Sequence, residues 1–199
     1  MRFAAGIAAA LLLQAAPPAL SQAVEKRIEL CYVCHGRNGH SQTPLVPSIA
    51  AQPSFFVVAQ LFLFRDGRRG GSAAQGMYDA ARTLSDDDLR AFGELISRLP
   101  PPTPPAGKPD PARAARGAAL ARQHHCAACH NADYSGREQM PRLIHQREDY
   151  LLKALRDYKS GVRMPYGRGM EDLVGALSDS DFGDLAHYLA YLPAPQRRP

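Results

Sequence analysis

Cys31-Tyr32-Val33-Cys34-His35 recurs 95 positions later as Cys126-Ala127-Ala128-Cys129-His130, and these two stretches hold all four cysteines of the chain. Each reads C-x-x-C-H, the attachment pattern of a c-type haem. On a helical turn, positions i, i+3 and i+4 share one face. Two thiols so placed can add to the two vinyl groups of one porphyrin, and the next imidazole reaches its iron. The expected cofactor is therefore two covalently bound haem c, one on Cys31 and Cys34, the other on Cys126 and Cys129. Two other readings compete: one structural zinc site made from both pairs, or two redox dithiols. Neither needs a histidine after the second cysteine, and here it follows both times.

The chain around these stretches repeats as well. Pro47-Ser48-Ile49 matches Pro141-Arg142-Leu143, and Gln52 matches Gln146, each 94 apart. Gly76-Met77 with Leu84-Ser85-Asp86 matches Gly169-Met170 with Leu177-Ser178-Asp179, 93 apart. So small a drift over this length indicates one duplicated module.

Between the copies, residues 100–111 contain seven prolines. Such a segment cannot form helix or sheet interior and favours a semi-rigid extended spacer. The expected organisation is residues 24–99 as a first domain, 100–111 as linker, 112–193 as a second domain and 194–199 as a basic tail. Residues 1–23 read as a secretory signal, with Arg2, the apolar run Ile7 to Leu13, and small residues at Ser21 and Ala23 before the cut. That run breaks at Gln14 and Pro17, short of the roughly 20 residues that span a bilayer. No other stretch is apolar enough to do so. Export to the periplasm, with loose membrane association at most, follows.

Helices are expected throughout. Residues 54–66 form one, with Ser54 as N-cap and Gly67 as stop. Val24 to Leu30 form only a short helix, and Gly67 to Gly76 a loop. Ser85 caps a further helix whose apolar face is Leu89, Phe92, Ile96 and Leu99; the face recurs as Phe182, Leu185, Leu189 and Leu192. The fold class is thus all-α, with two tandem domains. The chain has no Trp and 8% aromatic residues. Domains this small with so few large side chains need a staple, and a buried porphyrin supplies one.

The formal charge is +5, but residues 24–99 carry 9 basic and 8 acidic side chains, and residues 112–193 carry 11 and 10. Four haem propionates would cancel most of the excess, and no basic face with interleaved aromatics marks nucleic-acid binding.

Each iron then needs a sixth ligand or an open site. Methionine opposite histidine suits electron transfer. The repeat singles out Met77 to pair with His35 and Met170 to pair with His130, with Met164 as the rival on the second iron. The other histidines, His40, His124, His125, His145 and His187, occupy no matching positions. The carbonyls of Pro47 and Pro141 are plausible acceptors for the second ring nitrogens of His35 and His130. Arg65, Arg68, Arg69 and Arg163 flank the loops before the methionines and could pair with propionates. Tyr158, Tyr166 and Tyr188 are further candidates for a propionate or ring edge.

Taken together, the two motifs, Pro-Ser-Ile-Ala-Ala-Gln and Pro-Arg-Leu-Ile-His-Gln after them, Phe-Arg-Asp-Gly and Lys-Ser-Gly-Val-Arg, then Met and Leu-Ser-Asp, resemble the cytochrome c4 family of di-haem class I cytochromes c. The haem subunit of flavocytochrome c sulfide dehydrogenase is similar around Gly36 to Gln52. The resemblance covers residues 31–99 and 126–192. It implies haems facing each other across a pseudo-twofold interface, His35 with Met77 on one iron, His130 with Met170 or Met164 on the other, and Pro47 and Pro141 as carbonyl acceptors. It implies an electron carrier, not an enzyme, between a quinol-oxidising complex and a terminal oxidase. The alternative is an electron-accepting subunit of a periplasmic dehydrogenase. A di-haem peroxidase would need one open iron position. One departure stands out: the helix before Cys31 is short for the family, leaving the first haem more exposed or covered by a partner.

Overall fold

The computed structural model describes residues 19–71, 74–164 and 169–193, with side chains from Val24 onward. Most of the signal segment, the basic tail and Tyr166 lie outside the described residues. Nine α-helices are described: α1 (Ala19–His35), α2 (Ser54–Arg65), α3 (Ala74–Ala81), α4 (Asp86–Ser97), α5 (Pro111–Gln123), α6 (Cys126–His130), α7 (Glu148–Lys159), α8 (Met170–Gly175) and α9 (Asp179–Tyr191). No strand occurs among the described residues; one isolated bridge joins Arg137 and Met140.

The same packing occurs twice. α1 and α2 lie on α4, and α2 also meets α3; α5 and α7 lie on α9, and α7 also meets α8. Each terminal helix begins with a reciprocal cap. Ser85 accepts from the Asp88 N–H while Asp88 reaches back to the Ser85 N–H, and Ser178 and Asp181 repeat it. The apolar faces of α4 and α9 then anchor separate cores. The first rests on Val24, Ile28, Val57, Phe92 and Ile96. The second is larger, built on Ile144, Leu151, Val174, Phe182, Leu185 and Leu189 among others. At Gly117, α5 presses so close to α9 that an added Cβ would sit 2.2 Å from the Asp184 carbonyl oxygen.

Several local expectations are corrected. α1 runs unbroken from Ala19 through the first motif, because Val24 and Ile28 both point into the core and hold it. Before the second motif the helix instead breaks: His124 ends α5 and His125 turns left-handed (φ 52°) before α6. Ser54 is the first helical residue rather than the cap; its hydroxyl donates to Glu94. The Gly67–Gly76 loop ends early, since α3 starts at Ala74 and includes Met77. Pro111 is the first residue of α5 rather than spacer, with Asp110 capping it; proline fits there because that N–H has no helical partner.

The linker is held by histidines from both halves. The Pro100 carbonyl accepts from His40 Nε2 at 2.8 Å, the Pro102 carbonyl from His145 Nδ1 at 2.9 Å, and the Asp110 N–H donates to His187 Nε2 at 2.9 Å.

The halves also meet directly. Gln146 accepts from the Ser48 N–H (2.8 Å) and donates to the Ser48 carbonyl (2.7 Å). Gln52 accepts from the Arg142 N–H (2.9 Å) and donates to the Arg142 carbonyl (3.1 Å). Ser48 and Arg142 are themselves equivalent positions, 94 apart. The two clamps are therefore related by a pseudo-twofold axis, in the isologous manner of a symmetric dimer. Gln146→Ala leaves the buried Ser48 N–H unpaired and lowers stability by roughly 1–3 kcal/mol. This reads as a lower denaturant midpoint; an unchanged midpoint contradicts the clamp's contribution.

Asp184 on α9 is held well below the usual carboxylate range by its bidentate pairing with Arg116, with Arg113 adding. A depressed carboxyl contributes stability above its unfolded value, about 4, and loses it as pH falls through its lower folded value. The protein should hold a level midpoint above about pH 5 and weaken below. Asp184→Asn should be weaker at pH 7 and lose less on acidification; equal losses contradict the assignment.

Candidate functional site

Each C-x-x-C-H stretch lies on helix: the first ends α1, the second is α6. The helix turn lines up the residues as the spacing requires. Cys31 and Cys126 are half-buried, Cys34 and Cys129 are exposed, and none of the four is in a disulfide. Among the described residues, no three or more His, Cys, Asp or Glu gather where they could hold a bare metal ion. A zinc site drawing on both pairs therefore has no geometric support.

After each histidine the chain turns with positive φ, at Gly36 (76°) and at its counterpart Asn131 (68°). Glycine takes this backbone freely, whereas Asn131 (ψ 159°) holds it at a cost, its side chain donating to Ser135 Oγ and the Gly136 carbonyl. The turn sends the following loop back over the imidazole. His35 Nδ1 lies 2.8 Å from the Pro47 carbonyl, and His130 Nδ1 lies 2.9 Å from the Pro141 carbonyl. A carbonyl only accepts, so Nδ1 carries the proton and Nε2 keeps its lone pair. Both rings are buried, 7% and 6% exposed. Burial lowers the pKa of both imidazoles, the proline carbonyls opposing it, and the Arg69 charge lowers His35 further. Both rings are thus held in the neutral form that binds a metal.

The loops return to the core at another repeated position. Ala51 (φ 54°) and His145 (φ 61°) are both left-handed, and their N–H groups donate to Ile96 and Leu189 of the terminal helices. This ties each proline loop to the helix bearing the domain's main apolar face.

Met77, within α3, is half-buried. Met170 is the first residue of α8 and packs against the second core. Met164 is 58% exposed. His40, His145 and His187 are bound to the linker backbone, which turns them away from a ligand role.

The arginines divide. Arg65 pairs with Asp86 at 2.8 Å and donates to the Leu84 carbonyl, and Arg68 is exposed. Arg69 and Arg163 instead meet around Tyr150 and Gln60. Tyr158 lies under the Arg163 guanidinium, and Tyr188 packs edge-on to Tyr134.

The residues fit a haem on two counts. The donor set in each half is two thiols and one neutral imidazole with a free Nε2. In addition, the Nε atoms of Arg142 and Arg163 are buried with no protein acceptor. Buried polar groups are rarely left unpaired, and propionates are the acceptors a porphyrin brings.

Residues 114–193 match the family model described as Cytochrome c. The chain is 30% identical over 190 residues to cytochrome c4 of Thiocapsa roseopersicina, covering 88% of this chain and 95% of that one. It is 29% identical over 188 residues to the thiosulfate dehydrogenase electron acceptor of Thiomonas intermedia (strain K12), covering 89% of this chain and 85% of that one. The crystal structure of reduced recombinant cytochrome c4 from Pseudomonas stutzeri superposes with a TM-score of 0.73 at 27% identity, over 85% of this chain and 97% of that one.

Proposed function

Since the chain belongs to the cytochrome c4 family of di-haem electron-transfer cytochromes, we propose that it works in the periplasm as a two-site electron relay, taking single electrons from one redox protein and passing them to another. Haem c supplies the redox chemistry; the protein positions it and sets its potential. Residues 1–23 direct export and are removed. Cys31 and Cys34 hold one porphyrin, Cys126 and Cys129 the other. His35 and Met77 hold the first iron, His130 and Met170 the second. Met170 is preferred to Met164 because it packs into the domain while Met164 faces solvent. With an imidazole and a thioether holding each iron, no position would be left for substrate. The carrying observation is the repeated imidazole-to-proline-carbonyl bond, which fixes the same tautomer in both halves.

No helix among the described residues is long and apolar enough to cross a membrane. The donor is a quinol-oxidising complex and the acceptor a terminal oxidase. A second reading is favoured by the relative named as a thiosulfate dehydrogenase electron acceptor: the donor is then a dehydrogenase that oxidises an inorganic sulfur compound. Stepwise potentiometric reduction tests the relay. The expected uptake is two electrons per chain, with neither ferrous iron binding carbon monoxide. One electron per chain, or ready carbon monoxide binding, contradicts it.

A further inference from the structure

The hydrogen-bond paths that begin at His35 and His130 do not end at the prolines. The carbonyl of Pro47 and the N–H of Ser48 belong to one planar peptide unit, and so do the carbonyl of Pro141 and the N–H of Arg142. In a trans unit these two groups point to opposite sides. His35 Nδ1 donates to the Pro47 carbonyl at 2.8 Å, and the Ser48 N–H donates onward to Gln146 Oε1 at 2.8 Å. His130 Nδ1 donates to the Pro141 carbonyl at 2.9 Å, and the Arg142 N–H donates onward to Gln52 Oε1 at 2.9 Å. Each imidazole is thereby joined, through one peptide unit, to a glutamine of the other domain.

These paths are dry and their direction is fixed. Gln52, Gln146 and Ser48 are all buried. Neither amide can turn round. The Gln146 oxygen also accepts from the Arg147 N–H at 3.0 Å while its amino group donates to the Ser48 carbonyl, and the Gln52 amino group donates to the Arg142 carbonyl. Reversal would set N–H against N–H and oxygen against oxygen. Hydrogen bonds in series polarise one another, more strongly away from water. A peptide whose N–H is engaged presents a more negative carbonyl oxygen. That oxygen draws the Nδ1 proton and makes the imidazole a stronger donor at Nε2. Joining the domains alone would be served by any exposed backbone group of the loops. Both glutamines instead take the one N–H that shares a peptide unit with the histidine's acceptor.

We infer, resting on the di-haem reading above, that Gln146 and Gln52 are positioning residues that act across the domain boundary: Gln146 sets the donor strength of His35, and Gln52 that of His130. A more electron-rich imidazole favours the ferric state and lowers the potential of its haem. Removing a glutamine weakens the proline carbonyl as an acceptor, and the potential of the haem in the opposite domain rises. Docking of the domains then helps set both potentials, and a displacement at the boundary reaches each axial histidine through two hydrogen bonds.

The test is a redox titration of the full-length holoprotein and its Gln146→Ala and Gln52→Ala variants at fixed pH. It is followed by NMR, so that the Nδ1–H signals of His35 and His130 in the ferrous state assign each potential to its own motif. Intact mass and the oxidised spectrum, read first, check haem count and ligation separately, so failure of the di-haem reading is told apart from failure of the cross-domain link. Gln146→Ala is expected to raise the potential of the haem on Cys31 and Cys34, move the His35 Nδ1–H signal upfield and leave the other haem in place. Gln52→Ala is expected to do the same to the haem on Cys126 and Cys129 and to His130. Gln146→Leu and Gln52→Leu, which fill the space but cannot accept, give the same shifts and serve if an alanine variant does not fold. The link is overturned if a variant shifts the haem of its own domain, both haems alike, or neither.

Discussion

Replacing Cys31 and Cys34 together by alanine yields a chain with one haem, a folded second half and an unfolded first half. The reason is the inequality of the two cores. The first half buries only Val24, Ile28, Val57, Phe92 and Ile96 as its central cluster, with Leu61, Leu84, Leu95 and Leu99 partly covered around it. A domain of that size with so small a core falls short of offsetting its chain entropy. A covalent porphyrin adds apolar surface and cross-links α1 to whatever the ring touches. The second half has a longer cluster, from Ala121 to Ala190, and keeps its own cysteines. Circular dichroism should lose the helical signal of α1 to α4 and retain that of α5 to α9. The mass should fall by one haem. Two haems, or undiminished helix, would count against the staple. The Gln52–Arg142 and Gln146–Ser48 clamps would be lost with the first half, so the remaining half should also melt earlier than it does in the parent.

The second large effect is at the methionines. Axial ligands set haem potentials over a span of about 0.8 V, and a thioether opposite imidazole lies toward the high end. Met77→Ala and Met170→Ala should each remove one of two thioether-to-iron charge-transfer bands, drop the potential of that haem alone, and open that iron to carbon monoxide. Met164→Ala should leave both bands in place, because its side chain is already largely in solvent. The reverse pattern, with Met164→Ala losing a band and Met170→Ala keeping it, would transfer the second ligand to Met164.

Much of this site was legible in the sequence because its determinants are local. The spacing within Cys31 to His35 fixes a helical face, and Ser85 with Asp88 states its own cap. The duplication is written in Pro47 and Pro141, whose carbonyls meet the imidazoles of His35 and His130. Partner choice across the halves was not legible. Gln52 and Gln146 stand out as a matched pair, but nothing in either neighbourhood says that each clamps the backbone of the other domain. Arg65 and Arg69 look alike in Phe64-Arg65-Asp66-Gly67-Arg68-Arg69. Docking of α2 near Asp86 takes the first, and docking of the domains takes the second to Tyr150. His40, His145 and His187 carried no periodic signal because their partners belong to the proline linker, whose path is set only once both domains are in place. The break at His125 was hidden as well. Ala112 to Arg122 is mostly helix formers, and the break comes from the left-handed backbone of His125 (φ 52°), which its residue type does not announce.

The relay depends on two porphyrins joined to this polypeptide by thioether bonds. Intact mass of the exported protein, measured under denaturing conditions from cells able to mature c-type cytochromes, tests it most directly. The expected mass is that of the chain from residue 24 plus two haems, unchanged by acid extraction. A mass equal to the bare polypeptide, or one shifted by zinc or lost haem on acid treatment, would contradict it.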